Sequence, residues 1–245
     1  MPTYDKAITI FAPDGNLFQV QYAFEAVNRG SATVAVKGQD CVVLAVEKKT
    51  TAALQDPHTI KKILQVDQHI MMTFAGLQAD ARVLVDKARM ECQSFRFNLE
   101  DEPSLEYIAR FVAETQQKYT QKGGVRPFGI STFIMGFEGK EPHLYQTEPS
   151  GAYSLWKANA IGRNSKTLRE YLEKGYKEAM SNNETIRLAV ETLMEVVESS
   201  KNIEICIMTG NKQFQTLDDE TIDKFVKEVE KQREEEAASK QPVPK

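Results

Sequence analysis

Ser31-Ala-Thr-Val-Ala-Val-Lys37, Gly38-Gln-Asp40 and Cys41-Val-Val-Leu-Ala-Val-Glu47 are the seventeen residues on which the fold turns. The outer two blocks are rich in β-branched and apolar residues, and the middle block is turn-forming, so the stretch reads as a β-hairpin. Cys41–Val46 is the longest strictly apolar run in the chain. It is far too short to span a bilayer and suits a strand covered on both faces.

Upstream lies a patterned leader instead of a polar tail. Pro13-Asp14-Gly15 is a turn signal, because proline fixes one φ angle and glycine tolerates positive φ. Asn16 is then expected as an N-cap, with Gln19 completing a capping box. Leu17, Val20, Phe24 and Val27 recur at helical spacing, and Gly30 is a suitable terminator. A helix of about a dozen residues is marginal alone, so its stripe must dock, either on its own domain or on a neighbouring chain as well.

Downstream, Ile63–Val66 and Ile70–Phe74 form a second expected hairpin. Helices follow over Leu77–Phe97, with Leu77, Ala81, Leu84, Val85, Ala88, Cys92 and Phe95 inward, and from Pro103 to about Tyr119. Strands Ile130–Phe137, Leu144–Thr147 and Ala152–Lys157 come next. After them come helices Ser165–Lys174 and Glu184–Ser199, strand Ile203–Met208 and a charged helix from Asp218 to about Glu236. Residues 237–245, ending Gln241-Pro-Val-Pro-Lys245, are expected to be disordered. No composition break divides the chain, so 1–245 reads as one domain. Hairpin-linked strands with paired helices imply two antiparallel sheets between helical layers, an α+β sandwich.

Composition narrows the partners. With 41% hydrophobic and 27% charged residues the chain is an ordinary soluble globule. A net charge of −4 argues against nucleic acid or an anionic membrane as main partner. No basic start with an apolar h-region occurs, so no secretory signal is expected. Cys41, Cys92 and Cys206 are scattered in apolar stretches and read as buried free thiols of a reducing compartment, cytoplasm or nucleus.

Catalytic and metal chemistry is sparse. His58, His69 and His143 lie far apart, and no Cys-x-x-Cys, phosphate-binding glycine loop or Gly-x-Ser-x-Gly elbow appears, so no metal and no cofactor are expected. Ser31 opens the first strand of the sandwich, where some hydrolases place an N-terminal nucleophile whose own amine is the base. Thirty residues precede it here, so its nitrogen is an amide and that route is closed unless the leader is cleaved.

The motifs now assemble into a resemblance. Tyr4-Asp-Lys-Ala-Ile-Thr9, Phe11-Ala-Pro-Asp-Gly15 and Leu17-Phe-Gln-Val-Gln-Tyr-Ala23 resemble the N-terminal signature of 20S proteasome alpha subunits. Arg29-Gly-Ser31, Gly76-Leu-Gln-Ala-Asp-Ala-Arg82, Tyr119-Thr-Gln121, Gly123-Gly-Val-Arg-Pro-Phe-Gly129 and Ala160-Ile-Gly162 continue the match. Leu144–Gly151 and Gly162–Glu170 look most like the fourth alpha subunit of the eukaryotic particle. The resemblance implies a four-layer αββα sandwich of the N-terminal nucleophile hydrolase type. It also implies a non-catalytic place in a seven-membered alpha ring, stacked on beta subunits. Tyr4, Asp5, Pro13 and Tyr22 match the cluster that holds alpha N-termini open as a gate. Lys62, with Gly30 nearby, matches the pocket that receives the C-terminal tail of a regulatory particle or other activator. Two departures stand out: Gln21 where the family usually has Glu, and Ala12 where it usually has Ser.

Overall fold

A computed structural model describes residues 10–48, 54, 60–197, 202–210 and 213–239. The first hairpin forms as its sequence dictates. Strand β1 (Thr33–Lys37) pairs antiparallel with β2 (Cys41–Glu47), from Thr33↔Val46 to Lys37↔Val42. Its turn admits only glycine at position 38, where a Cβ would fall 2.4 Å from the Thr185 hydroxyl and 2.8 Å from the Cys41 sulfur. Every residue of β2 is buried. Its two faces go to different cores: Cys41, Val43 and Ala45 turn to one layer, Val42, Leu44 and Val46 to another. That double burial is why the run reads as continuous rather than alternating.

Ten strands and six helices are found among the described residues. β3 (Ile63–Asp67), β4 (Ile70–Gly76), β5 (Ile130–Glu138), β6 (Glu141–Thr147) and β7 (Tyr153–Leu155) make one antiparallel sheet in that order. The other sheet runs β10 (Phe214–Thr216), β9 (Ile203–Thr209), β2, β1, β8 (Ala158–Ile161). Helix α1 (Phe18–Asn28) comes first among the described elements and lies across β4 and β5. Helices α2 (Gln78–Leu99) and α3 (Leu105–Gln121) cover the outer face of the β3–β7 sheet through Met72, Phe74, Leu84, Ala88, Ile108 and Val112. Helices α4 (Ser165–Gly175), α5 (Asn182–Leu193) and α6 (Asp219–Ser239) cover the other sheet through Val36, Val43, Leu168, Ala189, Leu193 and Ile222. Between the sheets, Val42, Leu44, Met71, Phe133, Met135, Phe137, Cys206 and Met208 interlock. The molecule is therefore α, β, β, α in four layers.

Several boundaries depart from the sequence reading. The strand expected over Ala152–Lys157 is only Tyr153–Leu155, and a second, unexpected strand, Ala158–Ile161, follows it in the other sheet. The Trp156 N–H still donates to Leu144 of one sheet, whereas the next carbonyl, of Lys157, accepts from Lys37 of the other. Strand β10 is exposed throughout and lacks any apolar alternation to announce it. Helix α5 starts two residues early because Ser181 and Glu184 form a capping box. It ends at Leu193, where a turn over Met194–Val196 brings Val197 into the same core, and 198–199 of the expected helix lie outside the described residues. Helix α6 reaches Ser239, three residues into the segment expected to be disordered, and residues 240–245 lie outside the described ones. Leu77, expected inward, precedes α2 and is 44% exposed.

Candidate functional site: the leader helix and its seat

The leader turn is closed by backbone bonds, Gly15 N–H to Ala12 C=O at 2.8 Å and Ala12 N–H to Asn16 C=O at 2.9 Å, with Gly15 at φ +82°. Asn16 does not cap the helix. Its side-chain amide donates to Asp14 at 2.9 Å, so the turn captures it. Leu17 becomes the N-cap of α1 with no side-chain bond. The Asp14 carboxyl is lowered by the Asn16 side-chain and backbone donors.

In α1, Val20, Ala23 and Val27 are buried, and Val27 reaches the core between the sheets. The seat beneath the helix is a seam of three glycines in close approach. A Cβ at Gly30 would fall 2.2 Å from the Gly76 nitrogen, and one at Gly76, whose φ is +120°, 2.1 Å from the Gly129 carbonyl oxygen. At Gly129 it would meet Ala26 of α1 at 3.3 Å and Leu77 at 3.0 Å. Asp80, in the first turn of α2, holds the far end of this seam. Its carboxylate accepts Arg126 Nη1–H and Nη2–H at 2.6 and 2.7 Å and the Gly129 N–H at 3.0 Å. Burial alone raises the Asp80 carboxyl, but the Arg126 guanidinium and the Gly129 amide together hold it below its ordinary value.

Beside the seat, Tyr22, Glu25, Ala26, Arg29, Gly30, Gly76 and Leu77 line an open groove of about 540 Å³. Two residues singled out in the sequence, Tyr22 and Gly30, thus share one surface. Tyr22 is half-exposed and stacks on Phe18 with ring centroids 6.3 Å apart. Pro13 sits in the exposed turn, outside the groove lining. Lys62 is not in that lining either: it is 7% exposed, with Nζ 5.2 Å from the centroid of the Phe74 ring. Tyr4 and Asp5 lie outside the described residues.

At the start of β1, Ser31 is buried and flanked by peptide bonds on both sides. The Glu47 carboxylate beside it is fully engaged. It accepts the Ala32 N–H at 3.1 Å and the Arg163 guanidinium at 2.8 and 2.6 Å. Arg163 also donates its backbone N–H to Gly30 C=O at 2.9 Å and Nη2–H to Val196 C=O at 3.3 Å. Ser31 is thus an internal residue without a free amine, and the carboxylate beside it, that of Glu47, is taken up by Ala32 and Arg163. Nothing in the sequence marks Glu47 and Arg163 as partners 116 residues apart. Asp80 and Arg126 could have been suspected only as members of the two glycine-bearing motifs. Among the described residues, no group of three or more His, Cys, Asp or Glu side chains is placed to hold a metal ion.

Comparison with known proteins agrees with this architecture. A family model described as proteasome subunit matches residues 27–208, and a second, described as the N-terminal signature of A-type proteasome subunits, matches residues 4–26. The chain is 55% identical over its whole length to an alpha type-7-B proteasome subunit of Oryza sativa subsp. indica, covering 99% of that protein. It is 58% identical to an alpha type-7 proteasome subunit of Dictyostelium discoideum, over 94% of this chain and 93% of that one. A Solanum lycopersicum alpha type-7 proteasome subunit is 56% identical over 99% of this chain and 94% of its own.

Proposed function

Because the chain belongs to the proteasome subunit family and carries its alpha-type N-terminal signature, we propose that it is a non-catalytic outer-ring subunit of the 20S core particle. In that role it helps bar the substrate channel and offers part of a docking groove to activators that drive ubiquitin-dependent protein degradation. The observation that carries this reading is the leader: it folds as helix α1, and its Val27 is built into the core between the sheets, ahead of Ser31.

The finer roles follow from the same reading. Tyr4, Asp5, Pro13 and Tyr22 form the gate cluster, supported by the position of Tyr22 at the rim of the groove. Gly30 and Lys62 serve the activator pocket. Gly30 lines the groove, and a terminal carboxylate entering a partly desolvated cleft needs a cation, which Lys62 supplies once a neighbouring alpha subunit completes the pocket. Partners are the other alpha subunits of a seven-membered ring, the inner beta ring and the C-terminal tails of activators. We place the chain fourth in its ring; the relatives are named alpha type-7, a different number. We take residues 1–245 as one domain and its compartments as cytoplasm and nucleus, where buried free thiols persist.

The test is purification of the tagged native chain, followed by native electrophoresis, N-terminal sequencing and mass spectrometry with cross-linking. The expected result is a particle of alpha and beta subunits containing this chain with its leader, and two alpha neighbours that fix its place. A stable monomer, or a chain beginning at Ser31, would overturn the reading. In the assembled particle Lys62→Ala should lower activator-stimulated peptide hydrolysis while leaving the ring intact.

A further inference from the structure

A strand at the end of a sheet shows a row of unpaired backbone groups, which folded proteins ordinarily cover, charge or interrupt with proline. At β3, Arg89 reaches along the edge and donates Nε–H to the Gln65 carbonyl at 2.9 Å. At β8, the Ala160 carbonyl accepts Arg169 Nε–H at 3.2 Å, and the Asn159 side chain takes the Ala160 N–H at 2.8 Å. β10 adjoins 211–212, which lie outside the described residues. At β7, whose residues are Tyr153, Ser154 and Leu155, no lysine, proline or capping side chain is present among the described residues.

The register fixes which groups of β7 are open. Ala152 C=O accepts the Glu148 N–H at 3.0 Å, and the Trp156 N–H donates to Leu144 C=O at 2.9 Å. Backbone groups alternate in direction along an antiparallel strand. Residues 152, 154 and 156 therefore turn theirs to β6, while Tyr153 and Leu155 turn theirs away, where the sheet has no further strand. The side chains of Tyr153 and Leu155 share the face that carries α3 and are 37% and 53% exposed. Leu155 stands opposite the buried Tyr145, whose ring centroid is 6.4 Å from that of Tyr153. Two carboxylates lie near the same spot. Glu138 accepts the Glu106 N–H at 3.0 Å, and both acids add to the burial that pushes the Tyr145 phenol up to about 12. Arg110, on the next turn of α3, is taken by Glu114 at 3.9 Å.

We infer that β7 is a docking edge for an extended strand of a partner protein, apolar at alternate positions and carrying lysine or arginine beside them. Donors and acceptors that repeat at every second residue are matched by another backbone, which extends the sheet by one strand. Tyr153 and Leu155 favour apolar side chains on the helical face, and Glu106 and Glu138 favour a cation next to them. This edge is not part of the groove beside α1, and its occupancy does not depend on the outer-ring reading.

The experiment uses the purified full-length chain and a short fluorescein-labelled peptide of alternating valine and threonine with lysines at both ends. Fluorescence anisotropy should show saturable binding. Residue-resolved amide exchange should slow at Tyr153 and Leu155 more than at Ser154, whose N–H already faces β6. Leu155→Pro removes an outward N–H and leaves the bonds to β6, so binding should weaken about tenfold, the scale of one backbone bond lost with its apolar contact. Leu155→Lys keeps the N–H but sets a cation against the peptide's lysines and should weaken binding too, and a peptide with glutamates in place of lysines should bind about tenfold more weakly to the wild-type chain. Absence of saturable binding up to about 1 mM peptide, binding that leaves exchange at Tyr153 and Leu155 unchanged, or wild-type affinity in both variants would overturn the inference. If Leu155→Pro does not fold, Leu155→Lys carries the same outcomes alone.

Discussion

The close approach of Gly30 to Gly76 makes Gly30→Ala a quantitative probe of the seat. The new methyl would lie 2.2 Å from the Gly76 nitrogen, 2.9 Å from its Cα and 2.9 Å from the Val27 carbonyl oxygen. All three are backbone atoms, so no side chain can swing aside. Ordinary contact begins near 3.4 Å, so relief requires the end of α1 and the end of β4 to part by roughly 1.2 Å, the difference from 2.2 Å. Overpacking of this kind costs about 1–3 kcal/mol. For a chain of this size each kcal/mol moves the midpoint by about 2–4 °C, so Tm should fall by roughly 2–12 °C. Differential scanning calorimetry of the purified chain reads the shift. Gly123→Ala, where an added Cβ meets nothing within 4 Å, is the matched control. If the two variants unfold at the same temperature, α1 is not seated on β4 as described.

Three further outcomes can be checked on the same protein. Arg163→Ala leaves the Glu47 carboxylate without its counter-ion at a buried site. Discounted for the one-third exposure of Arg163, the loss should be about 1–3 kcal/mol in urea unfolding. Asp80 is held below its ordinary 3.8, so its pair stabilises the folded chain in full above that value and is lost as pH falls through the lower folded value. Asp80→Asn should therefore flatten the acid limb of the stability–pH curve and lower stability at neutral pH. Burial pushes the Cys92 and Cys206 thiols up to about 12, so neither should react with iodoacetamide at pH 8 in the folded chain, and both should once it is unfolded.

Much of the architecture was legible because it depends on local pattern. The β1–β2 hairpin needs only β-branched residues on either side of Gly38-Gln39-Asp40. The inward residues of α2 from Ala81 to Cys92 follow helical spacing without exception. What escaped depends on competition or on distance. Asn16 could cap a helix or bond Asp14, and sequence does not rank two partners equally close. The switch at Trp156–Lys157 reflects which sheet edge lies within reach, a property of the finished sandwich. At the site, glycines 30, 76 and 129 could be counted but not stacked, and the Glu47–Arg163 pair joins residues that share no pattern.

Val27 sets a limit on what this chain can become. A propeptide can be discarded when the folded enzyme does not need its atoms. Here a side chain from the leader belongs to the hydrophobic layer between the sheets, alongside Ala35, Leu44 and Ile161. Cutting before Ser31 would expose an amine and, in the same stroke, open a hole at the mouth of that layer. N-terminal nucleophile chemistry is thus closed off by packing as well as by the missing amine, and recovering it would require a new core, not merely a protease.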